Sequence, residues 1–292
     1  MISVEQREWI ESAAAVSVAG PVEVVVDCLW SMVARVPTTA GPLWFKEARA
    51  SSKYEAGLVA TLATVVPGRV LTPIAADAER GWLLMPDGGP TLAEAGSTDV
   101  NVWTKLFADH AVLQQDLIPH LDRMWEIGVP DATPATILSA AATLTITPES
   151  RAAVVAAGKR LLDGPVPVSL QHDDLQPKNV FRTGQVFDWG DCLVAHPFGV
   201  LLKGLQKAAD AFDVPPGDPL LLRLRDAYLE PWQTFTDAAS LREMVSDALR
   251  LAKVGRAMSW ERSLAWATPE EEAEYRDAGQ SWLDDLDVPD PL

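Results

Sequence analysis

A chain of 292 residues, 48% hydrophobic and 22% charged, is long enough for one large domain or two lobes built on a substantial core. Its 24 Lys+Arg against 41 Asp+Glu give a formal charge of −17. That balance argues against nucleic acid or an anionic membrane as partner, because phosphate contacts need lysine and arginine. It suits a cationic small molecule, and it serves solubility equally well.

The two cysteines, Cys28 and Cys192, supply neither a disulfide framework nor metal-ligand spacing. Near the N-terminus the apolar stretch 13–18 is too short and too late for a signal peptide. No run approaches the ~20 apolar residues of a membrane span, so a cytoplasmic location is expected.

Residues 1–20 read as an irregular or helical lead-in. The β-branched run 22–26 predicts a strand, the stretch 27–31 interrupts it, and 32–36 resumes. A turn over 37–42 leads to a third strand, Leu43-Trp44-Phe45-Lys46, so the three form an antiparallel meander. Lys46 interrupts an aromatic strand. A buried unpaired lysine is costly, so it must be exposed, paired or ligand-facing, and strand position alone favours exposure. Residues 51–63 read as a helix capped by Ser51 or Ser52, with Glu55 in its first turn.

Residues 81–85 predict a further strand, and Pro86-Asp87-Gly88-Gly89-Pro90 then breaks structure. Thr91 and Glu94 form a capping-box pattern for a new helix. This break is the domain boundary: a sheet-rich lobe over 1–87 and a larger lobe over 88–292. Helices are expected over 102–118, 121–127, 148–162, 199–212, 220–235, 237–251 and 269–286, with 128–134 a loop. Everything in the second lobe reads as helical except one hairpin.

That hairpin lies in Q-H-D-D-L-Q-P-K-N-V-F-R-T-G-Q-V-F-D-W-G-D-C, residues 171–192. With Thr183-Gly184 as its turn, counting outward sets Asn179 opposite Asp188, about 4.5–5.5 Å apart at Cβ. An amide oxygen beside a carboxylate is a cradle for a hard divalent cation.

The motif His172-Asp173-Asp174-Leu175-Gln176-Pro177-Lys178-Asn179, followed by Asp188-Trp189-Gly190-Asp191, resembles the catalytic segment of aminoglycoside phosphotransferases. Those enzymes belong to the protein-kinase-like group, whose template is H-x-D-x-x-x-x-N and then a metal-binding Asp. The resemblance implies an α+β, two-lobed protein-kinase-like fold with a small antiparallel-sheet N-terminal lobe and a mainly helical C-terminal lobe. It makes Asp174, separated from Asn179 by four intervening residues, the catalytic base in preference to Asp173. It implies that Asn179 and Asp188 hold Mg²⁺, that Lys46 contacts the phosphates of ATP or GTP, and that Glu55 orients Lys46. The base would lie at residues 85–88, with Met85 and Asp87.

Four departures stand out. The first turn, 27–31, lacks glycine, so the Ser31 hydroxyl or nearby amides would replace a Gly-rich loop. Position 173 is Asp where the family usually has Gly, and reads as a solvated loop charge. Trp189 follows the metal Asp where protein kinases have Phe, and no activation segment follows. His172 reads as structural and Lys178 as solvent-facing. Asp191 has two open readings, support behind the metal or a loop hydrogen bond. Trp260 and Trp282 read as helix packing.

The implied activity is O-phosphorylation of a small cationic acceptor, an antibiotic of the aminoglycoside or basic-peptide kind. Alternatives are a kinase for an amino sugar, sugar or amino alcohol, and a catalytically silent kinase-like binding protein. The sequence does not speak to oligomeric state.

Overall fold

A computed structural model describes residues 2–14, 16–96, 98–288 and 292. The chain divides into two units. The first comprises Met1–Gly89, Gln185–Gly190 and Arg262–Glu274; the second comprises Pro90–Gly184, Asp191–Glu261 and Tyr275–Leu292.

The first unit opens with helix α1 (Val4–Ala14) and is built on β1 (Glu23–Asp27), β2 (Ser31–Thr38), β3 (Gly41–Ala48), β4 (Ala75–Asp77) and β5 (Trp82–Pro86). These form one antiparallel sheet in the order β1-β2-β3-β5-β4. The expected meander is its first three strands, and β4 is a strand that sequence reading passed over because three residues carry no alternation to count. Period-two alternation sends Met32, Ala34, Val36, Phe45, Trp82 and Leu84 into one core with Ile10 of α1. Trp9 meets Phe45 and Trp82 edge-on at 6.0 and 5.7 Å between ring centroids, a geometry that aromatic quadrupoles favour. Lys46, next to Phe45, therefore projects from the opposite face of β3.

Helix α2 (Glu55–Val65) begins later than expected and lacks the predicted serine cap. Ser51 and Ser52 lie in the preceding 3-10 turn, and the Ser52 hydroxyl donates instead to Trp30 O at 2.8 Å. With its hydroxyl engaged there, the helix starts without a side-chain acceptor.

The second unit carries α3 (Val100–Leu117), α4 (Leu121–Ile127), α5 (Pro134–Ala140), α6 (Pro148–Leu162), α7 (Leu201–Phe212) and α8 (Pro219–Leu229). Of the three C-terminal helices, α9 (Ala238–Leu264) as far as Glu261 and α11 (Ala278–Asp284) belong to this unit, whereas α10 (Pro269–Tyr275) belongs, except for Tyr275, to the first. Asp99, Thr133, Thr147 and Asp218 cap α3, α5, α6 and α8, each side chain accepting from a first-turn amide. The reading of 269–286 as one helix is corrected, since a turn at Arg276-Asp277 separates α10 from α11. The capping box is also real but closes no helix. Thr91 N donates to Glu94 Oε2 at 2.6 Å and Glu94 N to Thr91 Oγ1 at 3.3 Å, yet residues 92–96 form turns and the next helix begins at Val100.

The second unit is not wholly helical. A sheet of order β6-β8-β7 runs through it, formed by β6 (Asp131–Ala132), β7 (Ser169–Gln171) and β8 (Leu193–Ala195). It has one parallel and one antiparallel pairing. Segments of two or three residues are too short for periodicity to reveal.

Candidate active site

The first unit gathers three residues far apart in sequence. Lys46 Nζ lies 2.7 Å from Glu55 Oε1 and 2.7 Å from Asp188 Oδ1. Lys46 is held by the pairing of β3 with Val33 of β2 and Leu83 of β5. Glu55 is the first residue of α2 and is buried, where the positive end of the helix favours a carboxylate. It also accepts from Trp189 N at 3.1 Å, so the residue after Asp188 is tied to the same oxygen. The Tyr54 hydroxyl donates to Gly190 O at 2.6 Å. The Asp-Trp-Gly run is thus fixed from the start of α2 at two points.

Lys46 is not the exposed strand residue that its position favoured. Its side chain is 15% accessible, and Asp188, at 50%, is the accessible member of the trio. Burial opposes the ammonium charge, but the Asp188 and Glu55 carboxylates outweigh it and raise the lysine pKa above its ordinary value. Lys46 is therefore cationic throughout the physiological range.

The first turn is also ordered by charge. Arg49 reaches Asp27 Oδ1 at 2.5 Å and Cys28 O at 2.7 Å, while Cys28 N donates to Ser31 O. Ser31 is buried, with its hydroxyl 3.9 Å from Cys28 Sγ. Met85 and Pro86 close the pairing of β5 with β3, and Asp87 Oδ1 accepts from Gly89 N at 3.0 Å.

In the second unit, β7 delivers the His172–Asn179 motif. The strand is anchored by Gln114 of α3, whose amide donates to Leu170 O and whose carbonyl accepts from Ser169 Oγ at 2.6 Å. Asp174 is half-buried and held by neutral donors. Gln176 Nε2 lies 2.7 Å from its Oδ1, and Asn179 Nδ2 donates both to its Oδ2 at 3.0 Å and to its backbone oxygen at 2.9 Å. Because the Asn179 nitrogen is engaged there, its oxygen is the atom left to face a cation. Exposed Lys178 stands 3.7 Å from Asp174 Oδ2.

Asp173 overturns the solvated-loop reading. It is 2% accessible, and its Oδ2 lies 2.9 Å from Arg256 Nη1 of α9 while Oδ1 accepts from Gln171 Nε2 at 2.7 Å. Its φ of 64° places it in the left-handed region that Asp tolerates better than most residues, which accounts for the Gly usual at this position in the family it resembles. Burial works against the guanidinium charge, but Asp173, Asp191 and Asp174 hold Arg256 firmly protonated. Asp191, 3.6 Å from Arg256, is the outer carboxylate of this pair. His172 is fully buried, in edge contact with His110. Burial pushes His196 down to about 3, so it stays neutral near pH 7.

The turn near Gly184 is displaced from its predicted register. Gly184 N donates to Phe181 O at 2.8 Å, which makes Arg182-Thr183 the central pair, with Gly184 following at φ 89°. The count that set Asn179 opposite Asp188 began one residue further on and loses its starting point. Val180 and Phe181 bond instead to the 91–92 segment, through Leu92 N to Val180 O and a bridge between Phe181 and Thr91.

Among the described residues, no group of three or more His, Cys, Asp or Glu side chains is placed to hold a metal ion. The Asp188 carboxylate of the first unit and the Asn179 side-chain oxygen of the second are each hard oxygen donors, the kind that Mg²⁺ takes. Sequence reading passed over Arg256 and Gln176. Gln176 lies inside the motif, whereas Arg256 is 83 positions from Asp173 and carries no local signal.

No protein-family model and no curated protein matches this chain. Solved structures do. A macrolide 2'-phosphotransferase from Brachybacterium faecium superposes with a TM-score of 0.59 at 18% identity, covering 99% of each chain. A choline/ethanolamine kinase family protein from Mesorhizobium loti gives 0.58 at 14%, covering 98% of this chain and 92% of that one. A spectinomycin phosphotransferase in complex with ADP and spectinomycin gives 0.54 at 9%, covering 99% and 95%. The chain therefore has the α+β protein-kinase-like fold expected from its motif. Within that fold its structural neighbours are small-molecule phosphotransferases.

Proposed function

We propose that this protein is a nucleotide-dependent O-phosphotransferase acting on a hydroxyl of a small molecule. The observation that carries this reading is Lys46 held between buried Glu55 and accessible Asp188, the three residues to which the family resemblance gives the phosphate and metal roles. Phosphoryl transfer is mainly positioning and charge neutralisation, and a lysine fixed by one carboxylate and shared with a metal-binding one supplies both.

Lys46 would contact the phosphates of ATP or GTP, and Glu55 would orient it. Met85 and Asp87 would border the base, with Ser31 and the amides of its turn beside the phosphates. Asp188 and the Asn179 oxygen would hold Mg²⁺, which when bound neutralises phosphate charge. Asp174 would take the acceptor proton as the new O–P bond forms, while the bond from the γ-phosphorus to the bridging oxygen breaks and the nucleoside diphosphate leaves. Gln176 and Asn179 would hold its carboxylate in line.

Two of the compared structures are antibiotic phosphotransferases by name and one belongs to the choline/ethanolamine kinases. That supports a small hydroxylated acceptor, and an antibiotic or a metabolite are the two panels to assay. The expectation of a cationic acceptor rests on the family resemblance and on the overall charge. It is not repeated around Asp174, whose charge is felt by Lys178, Lys203 and Arg256. A supply of nucleoside triphosphate implies a cytoplasmic site of action, and no helix among the described residues is long and apolar enough to cross a membrane.

The test is Asp174→Asn, assayed by nucleoside diphosphate release across both panels. Turnover should fall about 10²–10⁴-fold, the usual contribution of a positioned base, while nucleotide binding persists. Unchanged kcat would refute the assignment. Absence of turnover in the folded wild-type protein with every acceptor would favour the silent binding protein.

A further inference from the structure

Beside Asp173 and Asp174, three helices of the second unit bring two cations to one indole. Lys203 of α7 places its Nζ 5.4 Å from the centre of the Trp282 ring of α11, and Arg256 of α9 places its Cζ 5.5 Å from the same centre. The two cations are not equivalent. Arg256 Nη1 is ion-paired with the buried Asp173 carboxylate and with Asp191, and it also reaches Asp173 O. Lys207, one turn along α7, is paired with Asp210 at 3.2 Å. Lys203 has no carboxylate within ion-pair distance among the described residues, and the indole is its one named contact.

A half-buried ammonium carries three donors and no acceptor, and a π-face satisfies only its charge. Burial and the charges of Arg256 and Lys207 weaken its hold on a proton, and Asp174 and Asp173, close enough to act on it, do not restore that hold. The group that would settle this position is an oxyanion brought by a ligand. The indole, for its part, is already engaged by two of the protein's own cations. It is not an open platform for a quaternary ammonium, which recognises such a ring by the same attraction.

We infer that Lys203 is a specificity-determining residue of the acceptor site, and that the acceptor carries an anionic group, a carboxylate or phosphate, which Lys203 binds while its hydroxyl faces Asp174. This rests on the phosphotransferase reading for the role of the hydroxyl, but not for the anion site itself. It replaces the cationic acceptor expected from the family resemblance and from a net charge that belongs to the whole surface.

Three six-carbon polyhydroxy probes of different charge test it: gluconate, glucose and glucosamine. In the full-length wild-type protein, acylation of Lys203 by a limiting amine reagent is followed by mass spectrometry. Gluconate should protect Lys203, and glucose and glucosamine should not. Equal protection by all three, or none by gluconate, overturns the proposal, and the result is independent of any turnover. In the phosphotransfer assay, Lys203→Met should raise KM for gluconate about tenfold more than for glucose, the scale of one charge-assisted hydrogen bond. Lys203→Arg, which keeps the charge, should restore most of that difference. A kcat loss equal for every acceptor would instead put Lys203 on the transferring phosphoryl group and overturn the proposal. Protection by gluconate with no phosphotransfer to any acceptor of either panel would keep the anion site and reject the phosphotransferase reading. Turnover of glucosamine with Lys203 unprotected by gluconate would do the reverse.

Discussion

The two units each contain a cation flanked by one buried and one accessible carboxylate. In the first, Lys46 lies between Glu55, 2% accessible, and Asp188, 50% accessible. In the second, Arg256 lies between Asp173, 2% accessible, and Asp191, 48% accessible. Asp188 and Asp173 share a left-handed backbone, at φ 65° and 64°. The difference lies in the cation. Lysine is a compact point charge whose three donors can be redirected, and both its contacts here are 2.7 Å long, so a phosphate or metal arriving at Asp188 can take over part of them. Arginine is planar and permanently charged, and Arg256 is further engaged by the Trp282 ring and by Asp173 O. One cluster is built to exchange partners and the other to hold the loop that carries Asp174. Asp174 belongs to neither, because its two oxygens are met by amides.

If Arg256 is the holding cation, its removal should cost the most. Arg256→Met strands a buried carboxylate, and about 3–5 kcal/mol of stability should be lost in urea denaturation. Adding Asp173→Gly should recover most of it, since glycine accepts φ 64° freely and no charge is left behind. A loss no larger than that of an exposed pair would show that the Arg256 cluster does not hold the loop. Glu55→Gln should cost less, because Lys46 keeps Asp188 and the amide oxygen can still accept from Trp189 N.

The two accessible carboxylates separate the clusters by function. Asp188→Asn tolerates the left-handed backbone and removes one charge. Mg²⁺-dependent nucleotide affinity should fall about ten- to a hundredfold in calorimetry, the scale of a charge-assisted contact. Asp191→Asn should leave that affinity as it is. Equal losses from both variants would erase the distinction between an exchanging cluster and a holding one.

How much of this could be read from sequence depended on the distance over which each signal acts. Lys46, Glu55, Asp174, Asn179 and Asp188 were legible because motif spacing and a strand-turn-helix order carry them, and those are local properties. The meander was legible because eight-residue strands alternate long enough to be counted. β6 to β8 were not, because strands of two or three residues have no period. The Asp173–Arg256 pair was out of reach for another reason. A charged residue in a loop looks solvated until its partner is known, and that partner lies 83 positions away on α9. Only the departure from the family pattern at position 173 marked the place, and its cause was the positive φ rather than exposure.

Two close backbone approaches, one at each cluster, give the finest test of the same contrast. A Cβ at Gly190 would stand 3.0 Å from Glu55 Oε2, against the exchanging cluster, and one at Gly199 would stand 2.3 Å from Gln171 Oε1 and 3.2 Å from Ala252 Cβ, behind the holding one. Glu55 is tied by Lys46 and Trp189 N at Oε1, but it is a three-torsion chain whose carboxylate end can give a few tenths of an ångström. Gln171 has less room, because its amide must also reach Asp173 Oδ1 at 2.7 Å. Overpacking of this kind costs about 1–3 kcal/mol. Gly190→Ala should fall near the lower figure and Gly199→Ala near the upper, a difference of about 1–2 kcal/mol in urea unfolding. The functional readouts should run the other way. Moving Glu55 disturbs Lys46 directly, so Gly190→Ala should weaken nucleotide binding, whereas Gly199→Ala should lower stability with nucleotide binding retained. The opposite order in either measurement would mean that the first cluster, and not the second, is the rigid one.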